Sequence, residues 1–499
     1  MTFKDEKIYS GMKELVKKSL AILNRSGFEF KHKHIEDSNI EVDLKNIPPI
    51  SFLLNDKISR QIYSNSKIEE IEKTKEFTYT FDLVNKMLLS HFESKKHDDI
   101  QLPGLGLDAP SPEVENALKK QQFRTDISLF LIAYCNLKKD LEFDEAIFNG
   151  LYKRFEEKLY GKNYIMALCP LKKFYLETDE LVLDDGIKIR RISEEELSFI
   201  KEMAGNAVKK PDDIKFTIEY TYDETEFRRP EDADEWTWSA WQNATAICEK
   251  KFIEIIALLR LFKDGDFHNP LENFQVPFWA NAGQGIHFNL CDRRIPEDRN
   301  YILKRAEAED FTEFYRKSLR FTDDRRMFIA LERFNLAYEK KRFEDNIIDY
   351  VIAFEALFGT MRNRIGMEIG LKSGFLVGDS KEEITKIYKF MRDVYKLRSK
   401  IVHGDEIKIP MKIGKEDYYS HYRLKSDIIK IFGKIIRCFF DEGRTEDRKE
   451  TFAIIEDELK SGENKDKSGE EMIELILDRA ERKGVNLSMN RVVLTDPED

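Results

Sequence analysis

Cysteine is scarce in this sequence. Cys135, Cys169, Cys248, Cys291 and Cys438 are the only five in 499 residues, and no two are spaced as a Cys-x2-Cys pair. Scattered single cysteines argue against a zinc knuckle and against the disulfide framework of a small secreted domain. A reducing, cytoplasmic setting is the expectation. Long apolar runs are missing as well. No stretch of about 18 consecutive apolar residues occurs, so no membrane span is expected. Met1–Ser19 is charged and amphipathic and lacks the apolar core and small-residue cleavage site of a secretory signal. There is no Gly-x4-Gly-Lys-Ser/Thr loop, and Gly104-x-Gly106 lacks the third glycine of a dinucleotide loop, so it reads as a turn. His32 and His34 lie in a charged stretch, and His91 and His97 lack metal-ligand spacing with acids on one face. No cofactor and no metal are expected. Positive charge is also in deficit. Lys and Arg number 83 against 94 Asp and Glu, a net charge of −11. That excludes broad electrostatic coating of a nucleic acid but leaves room for a local basic site.

What is present is ample apolar material. A hydrophobic content of 41% over this length supports more than one domain. Residues 1–160 read as a helical region, with helices over Asp5–Leu23, Phe81–Phe92 and Pro112–Leu137. The texture changes at about 161. Phe174-x-Leu176 and Leu181-x-Leu183 alternate, Asp185-Gly186 offers a tight turn, and Ile187-x-Ile189 alternates again. Ile214–Tyr222 reads as a further strand, and Glu235–Phe262 as a long helix opened by Trp236, Trp238 and Trp241. These tryptophans either stack bases or pack on the strands, and the acids at 231–235 beside them favour packing. A small mixed α/β module over 161–310 follows from this pattern. From 311 to 445 the pattern is helical again, over Arg325–Lys340, Phe343–Phe358, Lys381–Val402 and Tyr418–Phe440, with an extended linker Gly404–Gly414. Residues 446–499 form a charged tail, with two short helices and a disordered end expected. The fold class expected is mainly α.

The chemistry concentrates at the end of the helix over Lys381–Val402. Its stripe Ile384, Tyr388, Met391, Tyr395, Arg398, Val402 keeps one face inward and sets Arg398 where a hydrophobe is called for. A guanidinium there must be paired or face a cleft. Ile384–His403 also carries Lys386, Lys389, Arg392, Lys396 and Lys400 against one basic-helix acid, Asp393. His403 follows at the helix end, and Gly404 supplies a C-terminal stop. Five residues make about 500° of helical rotation, so Arg398 and His403 stand about 140° apart on an ideal helix. Both reach one cleft only if the last turn unwinds or the cleft wraps around the helix end. An arginine fork can hold a scissile phosphate, and a histidine can move a proton near neutral pH. The same spacing also fits an arginine on helix carbonyls and a histidine cap.

The stretch Tyr395-Lys-Leu-Arg398-Ser399-Lys-Ile-Val-His403-Gly404 resembles the Arg-polar-x3-His signature of HEPN domains. Upstream, Asp349–Phe358, with Glu355 inside Val-Ile-Ala-Phe-Glu-Ala-Leu-Phe, resembles the preceding helix of the ApeA-like HEPN group, and Arg364 resembles an arginine frequent there. The resemblance covers about 320–440. It implies a C-terminal HEPN bundle of four or five helices, frequent dimerisation, and metal-independent RNA cleavage in defence or toxin settings, with Arg398 and His403 as the catalytic pair. Glu355, Ser399, Tyr395 and Arg364 would support them. Glu355 either fixes helix packing through an ion pair with Arg398 or Arg364, or orients Arg398. Tyr395 either packs in the core or touches a base or phosphate. RNA and a second copy of the chain are the expected partners, the latter through the apolar faces of Arg325–Lys340 and Tyr418–Phe440. The N-terminal regions would sense a trigger or bind a partner that remains unspecified. The readings left open are a silent HEPN module that binds RNA or nucleotide or only dimerises, and a purely structural interaction protein.

Overall fold

A computed structural model describes residues 5–26, 65–94, 112–160, 162, 164–204, 211–223, 238–263, 265, 267–269, 271–277, 287–290, 300–321, 323–359, 364–441 and 445–485. Outside them lie Gly104, Gly106, His32, His34, His97, Cys291, Trp236, the acids at 231–235 and residues 486–499, together with the side chains of His91, Trp238 and Trp241. The architecture is mainly α with a small mixed α/β module, as the periodicity predicts. No helix among the described residues is long and apolar enough to cross a membrane.

Among the described residues, five helices open the chain: α1 (Glu6–Arg25), α2 (Asn65–Glu72), α3 (Lys75–Ser94), α4 (Pro112–Lys138) and α5 (Glu145–Leu159). Asp5 starts α1 because its carboxylate accepts the Lys7 and Ile8 N–H groups at 2.9 and 3.0 Å, donors that the first turn leaves without partners. Met12, Leu15, Phe77, Phe130, Phe148 and Phe155 bury together between these helices.

The module begins with β1 (Tyr164–Lys172), followed by β2 (Phe174–Leu176), β3 (Glu180–Asp184) and β4 (Ile187–Arg191). Then come α6 (Glu194–Ala204), β5 (Ile214–Asp223), α7 (Trp238–Phe262), β6 (Leu271–Pro277), β7 (His287–Leu290) and β8 (Tyr301–Leu303). Six strands form an antiparallel sheet in the order β3-β4-β5-β1-β6-β7. The expected turn at Asp185-Gly186 is there. Gly186 has φ +75°, and a Cβ would stand only 2.4 Å from the Thr221 carbonyl oxygen, so the turn requires glycine. Central strand β1 is apolar on both faces. Ile165, Ala167, Cys169 and Leu171 enter the core of the C-terminal half, whereas Met166 and Leu168 enter the core of the N-terminal helices.

The C-terminal half holds α8 (Arg305–Ser318), α9 (Arg325–Glu339), α10 (Phe343–Phe358), α11 (Ile365–Val377) and α12 (Lys381–Val402). A hairpin of β9 (Met411–Ile413) and β10 (Glu416–Tyr418) precedes α13 (His421–Phe440), α14 (Thr445–Lys460) and α15 (Gly469–Arg482). One continuous core joins the sheet module to this bundle, running from Ile165 to Phe440 through Phe252, Leu258, Phe334 and Phe432. Buried Arg260 of α7 ties the two together. Its guanidinium donates to Asn335 Oδ1 and Glu339 Oε1 at 2.8 and 2.9 Å and stacks over the Tyr338 ring.

Four features depart from the expected pattern. Helix α11 lies where no helix is predicted. The linker Gly404–Gly414 contributes a strand, and Tyr418 ends β10 instead of opening a helix. The charged tail after 445 forms the two helices expected, but they pack on the bundle, where Ile454, Ile455, Met472 and Ile476 bury with Leu371, Ile384 and Tyr388. Finally, the apolar faces of α9 and α13, expected to meet a second copy, meet each other, with the Phe334 and Phe432 rings stacked 5.0 Å apart.

Candidate active site

Helix α12 carries the site. Ser380 caps its start by accepting the Glu383 N–H at 3.2 Å, and Glu382 and Glu383 suit the positive end of the helix dipole. Its buried side chains are Ile384, Ile387, Tyr388, Phe390, Met391, Val394 and Leu397. Arg398 sits at the edge of this stripe, half-buried. Val402, read from the sequence as inward, is 53% exposed. The inward stripe runs through Val394, Leu397 and the half-buried Ile401, which packs on the core, so Val402 falls one position outside it.

The last turn does not unwind. His403 caps the helix with φ −82°, and its N–H donates to the Ser399 carbonyl at 3.1 Å. Gly404, at φ +88°, donates to Ile401 O at 3.1 Å, and Asp405 donates to Lys400 O at 3.0 Å. This pair of bonds closes the helix in a Schellman motif, which needs a left-handed residue where Gly404 stands. Arg398 and His403 therefore keep the angular separation of a regular helix. The His403 side chain is exposed and caps no carbonyl among the described residues.

Charge is distributed unevenly along α12. Four of its expected cations are engaged. Lys386 meets Glu416 at 3.1 Å, Lys389 meets Glu470, and Arg392 and Lys396 meet Asp393 at 3.7 and 3.1 Å. Arg398 and Lys400 make no ion pair with any carboxylate among the described residues. The Arg398 Nε is shielded from solvent and donates to nothing there. Unneutralised positive charge thus collects at the C-terminal end of the helix, one turn from the exposed imidazole.

Glu355 lies half-buried on α10. Burial pushes its carboxyl above the usual carboxylate range, and the nearby Arg398 charge opposes that shift without cancelling it. The two groups sense each other electrostatically, yet no ion pair joins them within 4.0 Å. The sealed Glu355–Arg398 bridge of a purely structural reading is therefore absent between these described residues. Arg364 turns elsewhere. It occupies the left-handed region at φ 67°, and its guanidinium donates to the Asn464 carbonyl at 3.3 Å and reaches Met367 Sδ at 2.9 Å. Tyr395 packs along α11, where a Cβ on Gly366 would stand 2.6 Å from its Cδ1. Ser399 is half-buried, and its carbonyl holds the His403 amide. The structure thus brings Glu355 toward Arg398, uses Tyr395 and Ser399 to hold the helix, and separates Arg364 from them.

Lys400 is the residue that sequence reasoning undervalued. It sat within a basic run of six, and only the pairing of its neighbours sets it apart. Among the described residues no group of three or more His, Cys, Asp or Glu is disposed to hold a metal ion. Comparison of the chain with protein-family models, with curated proteins and with solved structures finds no match.

Proposed function

We propose that this chain is a metal-independent endoribonuclease of HEPN type, acting in the cytoplasm as a defence or toxin effector, with Arg398 and His403 as its catalytic pair. The observation that carries the reading is the pair of unneutralised cations, Arg398 and Lys400, beside an exposed histidine on a helix whose other basic side chains are occupied. An RNA phosphate supplies the missing counter-charge. The Arg398 fork would hold two of its oxygens and stabilise the charge that develops on them. The His403 imidazole would take the proton of the 2′-hydroxyl as that oxygen attacks phosphorus. The bond to the 5′-oxygen breaks, that oxygen takes up a proton, and the products are a 2′,3′-cyclic phosphate and a 5′-hydroxyl. One histidine carries one proton, so a second copy of the chain would supply the other carrier. With the α9 and α13 faces engaged within the chain, that copy would meet a different surface.

A second reading is favoured by the regular end of α12, which holds Arg398 and His403 on different sides of the helix. It is a HEPN module that binds RNA or nucleotide, or joins two copies, without cleaving. One experiment separates the readings: incubation of the full chain with labelled single-stranded RNA in EDTA, followed by end-group analysis. Cleavage with cyclic-phosphate ends, lost in His403→Ala and lowered about 10²- to 10³-fold in Arg398→Ala, is expected. Arg398→Lys should recover little of it, because an ammonium lacks the planar fork. Chelation that stops the reaction, or 3′-hydroxyl products, would remove the assignment. Binding without cleavage would favour the second reading.

A further inference from the structure

Exposed large hydrophobic side chains are unevenly placed. Of the nine among the described residues, four fall between 402 and 422: Val402, Ile409, Tyr419 and Tyr422. The β9–β10 hairpin explains why they lie together. Tyr418 pairs with Met411 and turns inward, where its hydroxyl donates to Asp427 Oδ2 at 2.7 Å. Successive residues of an extended chain point to opposite sides, so Tyr419 turns outward and is 72% exposed. Tyr422 follows on the first turn of α13, 51% exposed. The strand facing Tyr418 is reached from His403 through residues 404–410, so the hairpin continues directly from the candidate active site.

The charge around this patch is of one prevailing sign. Residues 398–423 carry six Lys or Arg and four Asp or Glu, within a chain of net charge −11. Lys400, Lys412 and Lys415 make no ion pair among the described residues. An outward ring beside lysines that make no ion pair matches a single-stranded nucleic acid, whose bases stack on rings and whose phosphates meet ammonium groups.

We infer that the outward face at the end of the hairpin, bearing Tyr419, is a stacking platform for an unpaired base of single-stranded RNA, extending the site at Arg398 and His403. The inference rests on the reading of that site as an RNA site and adds where a base of the strand is held. Phosphates adjoining the stacked base meet Lys412 and Lys415, and the strand leads toward Lys400 and Arg398.

The test uses the full chain and a fluorescent single-stranded oligonucleotide with 2′-O-methyl riboses, which cannot be cleaved through the 2′-oxygen. Binding is read by anisotropy, alongside a duplex of the same sequence. Tyr419→Ala should weaken single-strand binding about 5- to 150-fold, the usual range for losing one stacked base. Tyr419→Phe should bind as the unchanged protein does, because the ring and not the hydroxyl is used. Duplex binding should be weaker from the start and indifferent to both substitutions. Equal single-strand affinity in Tyr419→Ala would overturn the platform while leaving the RNA reading intact. No binding by the unchanged protein, with no cleavage of ordinary RNA, would overturn both. Should Tyr419→Ala instead lower the mass of the particle in light scattering with RNA affinity unchanged, the patch joins copies of the chain and the inference falls.

Discussion

His268 is 6% exposed, and its Nδ1 has no partner among the described residues. Burial, together with the charges of Lys172, Arg260 and Lys173, lowers its pKa to about 4, with Asp213 opposing. The folded chain therefore binds this proton less readily than the unfolded chain does. The stabilising effect is complete above the ordinary histidine value of about 6.5 and is lost as pH falls toward about 4, at most about 3 kcal/mol in all. Half-buried Glu254 works in the other direction. Burial raises its carboxyl to about 7, so its effect is complete below about 4.5 and fades as pH rises toward about 7. His268→Gln should remove the rise in stability between about pH 4 and 6.5 and leave the opposing fall that Glu254 causes over about pH 4.5 to 7. Urea midpoints measured between pH 4 and 7 will show this, and an unchanged acid slope would refute it. Single residues were legible in the sequence where they broke a pattern. Arg398 stood out as a charge on an apolar stripe. Val402 looked inward because a stripe drawn through Tyr395 and Arg398 passes through it, whereas the buried face runs through Val394, Leu397 and Ile401. The orphaned Nδ1 of His268 left no trace in the sequence, since it depends on neighbours distant in the chain.

Helix α11 owes its place to a ladder of glycines. A Cβ on Gly366 or Gly370 would meet the rings of Tyr395 and Tyr388, and one on Gly374 would stand 2.8 Å from the Ile384 carbonyl oxygen. The missing side chains let α11 lie directly against α12. This packing is also why the sequence hides the helix: glycine at every fourth position lowers helix propensity by about 1 kcal/mol each, and only tertiary contact restores it. Backbone cannot swing aside as a ring can. Gly374→Ala is therefore expected to destabilise the chain by about 1–3 kcal/mol, the usual range for overpacking. Chemical denaturation measures the loss. A midpoint equal to that of the unchanged protein would mean that the two helices can part at no cost. The C-terminal hairpin of α14 and α15 was only half legible. Its helices were within reach of periodicity, but its docking rests on Lys372, which binds Glu368 and Glu456 at 2.7 and 2.8 Å from within the core. A charge buried in this way reads in a sequence as surface.

At the scale of the whole molecule, β1 belongs to two cores at once. The texture change at 161 was visible, but the first strand, Tyr164–Lys172, was not read from the sequence. Which elements cover each face was not written in it. A cut at residue 160 therefore leaves no intact half. The fragment 161–499 should expose Met166 and Leu168 and aggregate on expression, where the full chain stays dispersed. Light scattering on both will tell, and a monodisperse fragment with the full chain's melting temperature would contradict it.

The C-terminal hairpin has a consequence for the protein while it is being made. A ribosome releases α12, with Arg398 and His403, before it has synthesised α15. Until then Ile384 and Tyr388 lack the cover that Met472, Ile473 and Ile476 give them. A nascent chain that stalls short of Gly469 carries Arg398 and His403 on a helix bare along its other side. Quality control would meet that species as a hydrophobic patch.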